Sequence, residues 1–185
     1  MGDLTNLNNY RPISILPTLG KIFEILIKNR IIDFLSKYNL FSKSQYGFLP
    51  GRSTEQALAG HINQITSALD RGHRVAAVHL DIRKAFDNVK HNILIEKLEK
   101  CGVRGFMLGW FKSYLSGRKQ SVKIGSGSSS WFKVMSGVSQ GSVLGPLLFL
   151  IYINDLLELP LDSSIYSSLT IWLWSVMLPL VRYLK

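Results

Sequence analysis

The chain has 185 residues, 46% of them hydrophobic, enough for one domain with a real core. Its 22 Lys and Arg against 12 Asp and Glu give a net charge of +10, a balance that favours contact with phosphate backbones or an anionic membrane. The lone cysteine, Cys101, excludes an internal disulfide and gives no zinc-ligand spacing.

Met1 to Leu16 lacks the charged-then-apolar pattern of a signal peptide, so an intracellular location, cytoplasm or nucleus, is expected. Asn9-Tyr10-Arg11-Pro12 begins extended or in a turn, because Pro12 disfavours helix at Arg11. Leu19 to Tyr38 reads as an amphipathic helix: Ile22, Phe23, Leu26, Ile27, Ile31, Phe34 and Leu35 recur at helical spacing, with Lys21, Glu24, Lys28 and Asp33 between them. Gln45 to Arg52 is a glycine-containing loop or short hairpin. Ser53-Thr54-Glu55-Gln56 fits a capping box for a helix that runs to about Arg71 and stops at Gly72.

Val75 to Leu80 is a β-branched and apolar run that predicts a buried strand. Helices follow over Asn92–Lys100, ending at Gly102, and over Gly105–Ser116, ending at Gly117. Gln120–Ile124 and Trp131–Met135 flank the Gly/Ser-rich stretch Gly125–Ser130 and predict a hairpin. Gly141-Ser142-Val143-Leu144-Gly145-Pro146 opens an apolar helix to about Leu157, with Pro146 in its first turn. Helices with a hairpin and a buried strand imply an α+β fold, with neither an internal repeat nor a long linker.

Charge is unevenly spread. From Lys100 to Asn154 there are seven basic residues and no acidic one. Phe106, Trp110, Phe111, Tyr114, Trp131 and Phe132 interleave with them. Most of these aromatics are expected in the core, with the basic side chains facing a polyanion. Ser163–Val181 is 19 residues without a charge, but five serines, Thr170 and Pro179 make it a poor membrane span.

The chemistry centres on His79-Leu80-Asp81-Ile82-Arg83-Lys84-Ala85-Phe86-Asp87. A carboxylate ends an apolar strand, a short basic and aromatic turn follows, and then a second carboxylate. Nucleotidyl transfer needs two divalent ions held by carboxylates, and Mg²⁺ prefers a few hard oxygen ligands that leave room for phosphate oxygens. Asp81 at a strand end suits such a ligand, though an Asp there is more often a cap or turn residue.

Other boxes appear in order around it. They are Asn9-Tyr10-Arg11-Pro12-Ile13-Ser14, Gln45-Tyr46-Gly47-Phe48 with Gly51-Arg52-Ser53-Thr54, and Trp110-Phe111-Lys112-Ser113-Tyr114-Leu115. Gln140-Gly141-Ser142-Val143-Leu144-Gly145-Pro146-Leu147-Leu148-Phe149 and Ile153-Asn154-Asp155-Leu156 complete the set. From about Asn9 to Tyr166 the chain resembles the reverse transcriptase of non-LTR (LINE-type) retrotransposons.

That resemblance implies part of a polymerase right hand, fingers and palm over residues 1–166, with the thumb and any endonuclease region absent. It implies Asp81 as catalytic residue and ligand of both ions, Mg²⁺ or Mn²⁺, with the Ile82 backbone carbonyl assisting. Phe86 would reject a ribose 2′-hydroxyl and also serve as a core aromatic. Arg52 would contact the incoming triphosphate, for which a guanidinium fork is well matched. Gln140 and Gly141 would pack under nucleotide and template. Asp87 would orient the turn, and Asp155 would end a helix rather than bind metal. The implied partners are an RNA template, a DNA primer and dNTPs, with no obligate protein partner and no membrane. The family usually has Pro where Ser139 stands, and Arg or Lys where Leu49 or Pro50 stands.

The resemblance stops short of a Phe/Tyr-Ala-Asp-Asp hairpin that completes the metal site in the family. Here that position reads Ser167-Ser168-Leu169-Thr170-Ile171-Trp172, and no acidic residue follows Asp162. If Ser167 ends in T and the next codons are TCG, CTG, ACG, ATA and TGG, the alternative frame reads Phe-Ala-Asp-Asp-Met. A slip of frame near Tyr166 or Ser167 would make residues 167–185 an out-of-family tail. Positioning and electrostatic stabilisation supply nearly all catalysis in phosphoryl transfer, so a chain with one such carboxylate is expected not to polymerise. A non-catalytic basic nucleic-acid-binding remnant and, behind it, a small membrane-anchored protein are the other readings of the same residues.

Overall fold

The computed structural model describes residues 13–80, 82–159, 165–167 and 174–179. They divide between two units, one of Met1–Phe34 with Lys84–Tyr152 and one of Leu35–Arg83 with Ile153–Lys185. Helices and small antiparallel sheets make up both, an α+β fold as the sequence predicts. The helix α1, Thr18–Lys37, runs from the first unit into the second.

In the first unit, α3 (His91–Lys100) and α4 (Gly105–Leu115) lie beside each other. Leu94 and Leu98 of α3 and Leu108, Phe111 and Leu115 of α4 are buried. Those spacings of three and four are the buried stripe of an amphipathic helix. Gly102, with φ +90°, ends α3 in the left-handed conformation that a side chain resists. The predicted hairpin forms in two steps: β2 (Lys119–Gln120) pairs with β5 (Phe132–Lys133), and β3 (Lys123–Ile124) pairs with β4 (Gly127–Ser128).

The unit closes on α5, Gly145–Ile153. Leu147, Leu148, Phe149, Leu150 and Ile151 are all nearly inaccessible, and a helix apolar on every face has to be central. The sequence extends this helix to about Leu157, but its last part, Asn154–Glu158, tightens into a 3-10 turn.

The aromatic expectation is corrected. Phe111 is fully buried, whereas Phe106 is 87% exposed, Trp131 70% and Phe132 60%. Phe106 falls off the Leu108–Phe111–Leu115 stripe, and Trp131 and Phe132 sit on or beside short strands exposed on both faces.

In the second unit the capping box is present as predicted. Ser53 Oγ accepts from Gln56 N–H at 3.3 Å, and Gln56 Oε1 accepts from Ser53 N–H at 3.0 Å. They open α2, Thr54–Asp70, and Gly72 (φ +75°) follows its end. A hydrogen bond with the Ser53 side chain, then its own backbone and Thr54, hold the Glu55 carboxyl below its ordinary pKa, as suits an acid in a helix's first turn.

The strand β1, Val75–Leu80, lies at one edge of an antiparallel sheet ordered β1-β7-β6, with β6 at Ile165–Tyr166 and β7 at Trp174–Pro179. The register runs from Val75 opposite Pro179 to Leu80 opposite Trp174. Ser167 is buried and bridges to the Gln45 segment: Tyr46 N–H donates to Ser167 O at 3.0 Å, and Ser167 N–H donates to Ser44 O at 2.9 Å. Part of the tail that the sequence sets outside the family pattern is therefore hydrogen-bonded to β1, while residues 168–173 and 180–185 lie outside the described residues.

Candidate nucleotide site

The turn after β1 brings two distant boxes together within the first unit. Lys84 adopts φ +52°, and Asp87 N–H donates to Lys84 O at 2.9 Å, closing the turn that carries Ala85-Phe86-Asp87. The segment before α5 docks on this turn. Val138 N–H donates to Phe86 O and Gly137 N–H to Val89 O, each at 2.8 Å. Ser136 Oγ donates to Asp87 O at 3.2 Å, and His91 Nε2 lies 2.8 Å from Gly137 O. Gly137 has φ +91°, and a Cβ there would meet Asp87 Cα at 3.0 Å. Only glycine tolerates both the dihedral and the approach.

Phe86 stacks on Phe149 of α5 with centroids 5.1 Å apart and planes at 20°. It is half-buried, so it is a packed aromatic that keeps an accessible part. Gln140 Nε2 donates weakly to Asp87 Oδ1 at 3.4 Å, and Gln140 O accepts from Ser14 N–H at 2.7 Å. Gly141 has φ +89°, and a Cβ there would meet Ile13 Cγ2 at 3.1 Å and Ser14 O at 3.2 Å. The close approach that this glycine permits is that of the chain's own Ile13-Ser14 segment.

The opening of α5 is capped from far along the chain. Glu24 of α1 is 4% exposed. Its Oε2 accepts from Val143 N–H at 2.8 Å and Leu144 N–H at 3.1 Å, and its Oε1 accepts from Tyr114 Oη at 2.7 Å. Ser142 Oγ takes Gly145 N–H at 2.9 Å, and Pro146 has no N–H to satisfy. A carboxylate serving the unpaired donors of a helix N-terminus is favoured by the helix dipole as well as by the bonds. Burial first, then the Glu24 carboxylate, pushes the Tyr114 hydroxyl up to about 12, with Arg118 opposing. Arg118 lies over the Tyr114 ring at 4.9 Å and donates to Ser139 Oγ at 2.9 Å, an acceptor that proline would not offer there.

The remaining sequence-predicted residues belong to the second unit. Asp81 lies outside the described residues, and Ile82 is half-buried just before the turn. Arg52 is half-buried and its hydrogen bonds run through Nη1 to Ser42 O at 3.0 Å, Lys43 O at 3.1 Å and Gln45 O. Its guanidinium also lies over the Tyr46 ring, 5.8 Å from the centroid. Arg52 thus organises the Ser42–Gln45 loop. Gln45 is 1% exposed, with Oε1 accepting from Gly47 N–H at 3.1 Å and Nε2 buried without a partner. Asn154 clamps the turn after α1: its Oδ1 accepts from Ser42 N–H at 2.9 Å and its Nδ2 donates to Leu40 O at 3.0 Å.

Among the described residues no three His, Cys, Asp or Glu side chains come together to hold a metal ion. No helix of the described residues is long and apolar enough to cross a membrane, and the described parts of Ser163–Val181 are strand or bridge rather than helix.

An ordered series of boxes, with the turn after β1 docked against the segment that opens α5, defines a class, and sequence comparison agrees. Residues 3–179 match the family of reverse transcriptases (RNA-dependent DNA polymerases), and the chain belongs to that family. Its relatives narrow the kind. It is 40% identical over 159 residues to a protein described as a probable RNA-directed DNA polymerase from transposon X-element of Drosophila melanogaster, covering 86% of this chain and 17% of that protein. It is 38% identical over 148 residues to a probable RNA-directed DNA polymerase from transposon BS of the same fly, covering 80% and 16%. To the RNA-directed DNA polymerase from mobile element jockey of Drosophila funebris it is 36% identical over 151 residues, covering 82% and 16%. The chain spans about one sixth of the length of these curated relatives.

Proposed function

We propose that this chain is a fingers-and-palm portion of the RNA-directed DNA polymerase of a non-LTR retrotransposon, and that alone it does not polymerise. The parent reaction is DNA synthesis from dNTPs on an RNA template with a DNA primer. The observation that carries the reading is the docking of Gly137–Gly141 on Phe86–Asp87, supported by the family match. Two boxes some fifty residues apart, each with nucleotide-contacting roles in the family, share one surface built on α5. Phe86 is held by Phe149 where it can set the width of a sugar site. Gln140 and Gly141 are fixed by Ser14 and Ile13. Arg52 keeps its loop in place and is a positioning residue for whatever that loop meets.

Family polymerases work with divalent metals, for which Asp81 and the Ile82 carbonyl are the candidate ligands in this chain. Nothing after Asp162 is acidic, so β7 offers no carboxylate opposite β1. This supports the inactive reading. Reading the encoding nucleotides in three frames tests the frame slip: an Ala-Asp-Asp codon series beside Tyr166–Ser167 is expected, and its absence from every frame overturns it. Primer extension with labelled dNTPs tests activity. No incorporation is expected in Mg²⁺ or Mn²⁺, and incorporation that Asp81→Ala abolishes would show the chain to be a working polymerase.

A further inference from the structure

The β2–β5 hairpin carries chemistry that the nucleotide site does not use. The register sets Lys119 directly opposite Lys133. Like charges facing each other across an antiparallel pair repel, and a free-standing hairpin gains from opposite charges or neutral partners there. The hairpin's own sequence supplies no carboxylate to offset the two lysines, since no acidic residue occurs from Lys100 to Asn154. Lys123 on β3 adds a third exposed cation.

Two large aromatics accompany the lysines. Trp131 is 70% exposed and Phe132 60%. Single apolar side chains on a surface are ordinary, but strand alternation sets Trp131, two residues before Lys133, on the face that carries Lys133 and Lys119, while Phe132 and its partner Gln120 belong to the other face. The hairpin tip, Gly125-Ser126-Gly127-Ser128, has no bulky side chain to obstruct a strand lying along it. Cations for phosphates together with flat rings for bases are how proteins hold an unpaired strand without reading its sequence. A duplex would present phosphates to the lysines but keep its base faces stacked away from the ring.

We infer that the β2–β5 hairpin, through Lys119, Lys123, Lys133 and Trp131, is a binding surface for single-stranded RNA. The choice of RNA over DNA rests on the proposed RNA-templated reaction; the charge and the ring stand independently of it. The site needs no metal ion and no nucleotide.

The test is fluorescence anisotropy of a labelled single-stranded RNA oligonucleotide with the 185-residue chain in EDTA, over a range of salt. Failure of primer extension leaves this measurement untouched, and failure here leaves the polymerase reading untouched. Affinity is expected to fall steeply with salt, and Lys119→Ala/Lys123→Ala/Lys133→Ala to reduce the log–log slope by about two, at roughly 0.7 per phosphate contact. Arginine at the same three positions is expected to restore the slope. Trp131→Ala is expected to weaken binding about tenfold at every salt with little change of slope, as for loss of one stacked base. Circular dichroism should show both variants folded, since removing opposed lysines relieves repulsion. Unchanged binding in folded variants overturns the inference. So does equal or tighter binding of an RNA duplex or single-stranded DNA, or displacement by polyglutamate as readily as by unlabelled RNA, which would make the surface a site for acidic protein.

Discussion

Tyr114 donates its hydroxyl proton to the buried Glu24 carboxylate at 2.7 Å, and through that carboxylate α4 is tied to the opening of α5. One side chain of α1 thereby completes both a tyrosine hydrogen bond and a helix cap. Glu24→Ala removes three hydrogen bonds and leaves Leu144 N–H, on a fully buried residue, without its acceptor. The expected loss is about 3 kcal/mol, from the cost of unsatisfied buried donors and the missing N-terminal anion. Glu24→Gln should lose less, because its amide oxygen can keep the Val143 and Leu144 donors while its NH₂ turns to Tyr114. Urea denaturation of the three proteins checks the order.

The same pair makes stability depend on pH in the alkaline range. The Tyr114 hydroxyl is raised from 10.0 to about 12, chiefly by burial and then by Glu24. The folded state therefore holds this proton more tightly than the unfolded chain. Its contribution is complete below pH 10 and disappears as pH rises through about 12. The wild-type chain should lose roughly 2–3 kcal/mol more than Tyr114→Phe across that window, because each tenfold difference in proton affinity between the two states is worth about 1.4 kcal/mol. Thermal melts at intervals from pH 9 to 12 measure the difference, and parallel curves for the two proteins would refute it.

Gly137 is the point where the turn after β1 and the segment before α5 come closest. At φ +91° an alanine pays the left-handed penalty, and its Cβ would press on Asp87 Cα and on the Phe86 and Asp87 carbonyls at 3.0–3.1 Å. All three contacts are backbone, so they cannot swing away. Gly137→Ala should cost about 2 kcal/mol or more, one part for the dihedral and one for the displaced turn. Amide hydrogen exchange should localise the change to Val138 and Gly137, whose N–H groups pair with Phe86 O and Val89 O.

How far the fold could be read from sequence depended on the range of the interactions that make it. The Ser53–Gln56 capping box, the glycine stops at Gly72, Gly102 and Gly117, and the strand Val75–Leu80 are local signals, and all are present. The cap of α5 is not local: its carboxylate lies 119 residues from Val143. A signal for Glu24 did exist. It stands three residues before Ile27, seven before Ile31 and eleven before Leu35, on the stripe that α1 buries, whereas Ile22, Phe23 and Leu26 are about half exposed. A polar residue on a buried stripe needs a partner, but its spacing cannot say which. Trp131 and Phe132 mislead for the opposite reason: hydrophobicity predicts burial, while two-residue strands bury neither face. Of the site, Phe86, Gln140 and Gly141 could be named from their boxes. That Asp87 and Ser14 hold them could not, since those contacts exist only once the chain has folded.

Asn154 should prove less replaceable than its exposed neighbour Asp155. It both accepts from Ser42 N–H and donates to Leu40 O, a pairing that an amide can make and a carboxylate cannot. Asn154→Asp keeps the first bond and sets an oxygen against the Leu40 carbonyl. A loss of about 1–2 kcal/mol is expected, as for one hydrogen bond replaced by a repulsive contact. Asp155→Asn changes neither bond and serves as the comparison in the same denaturation series.

Arg52 separates a loop-holding role from direct contact with a triphosphate. Its Nη1 serves the carbonyls of Ser42, Lys43 and Gln45, and its guanidinium lies over Tyr46. A lysine ammonium could reach one or two of those oxygens but would lose the flat face over the ring. If the loop is what Arg52 holds, Arg52→Lys should lower stability by about 1 kcal/mol and speed amide exchange at Tyr46, with or without nucleotide present. Direct triphosphate contact alone predicts a different pattern, with the folded chain unchanged and only dNTP affinity reduced. Loss of both together would mean that the loop Arg52 organises also meets the nucleotide, which Arg52→Ala would then show as a deeper fall in each measurement.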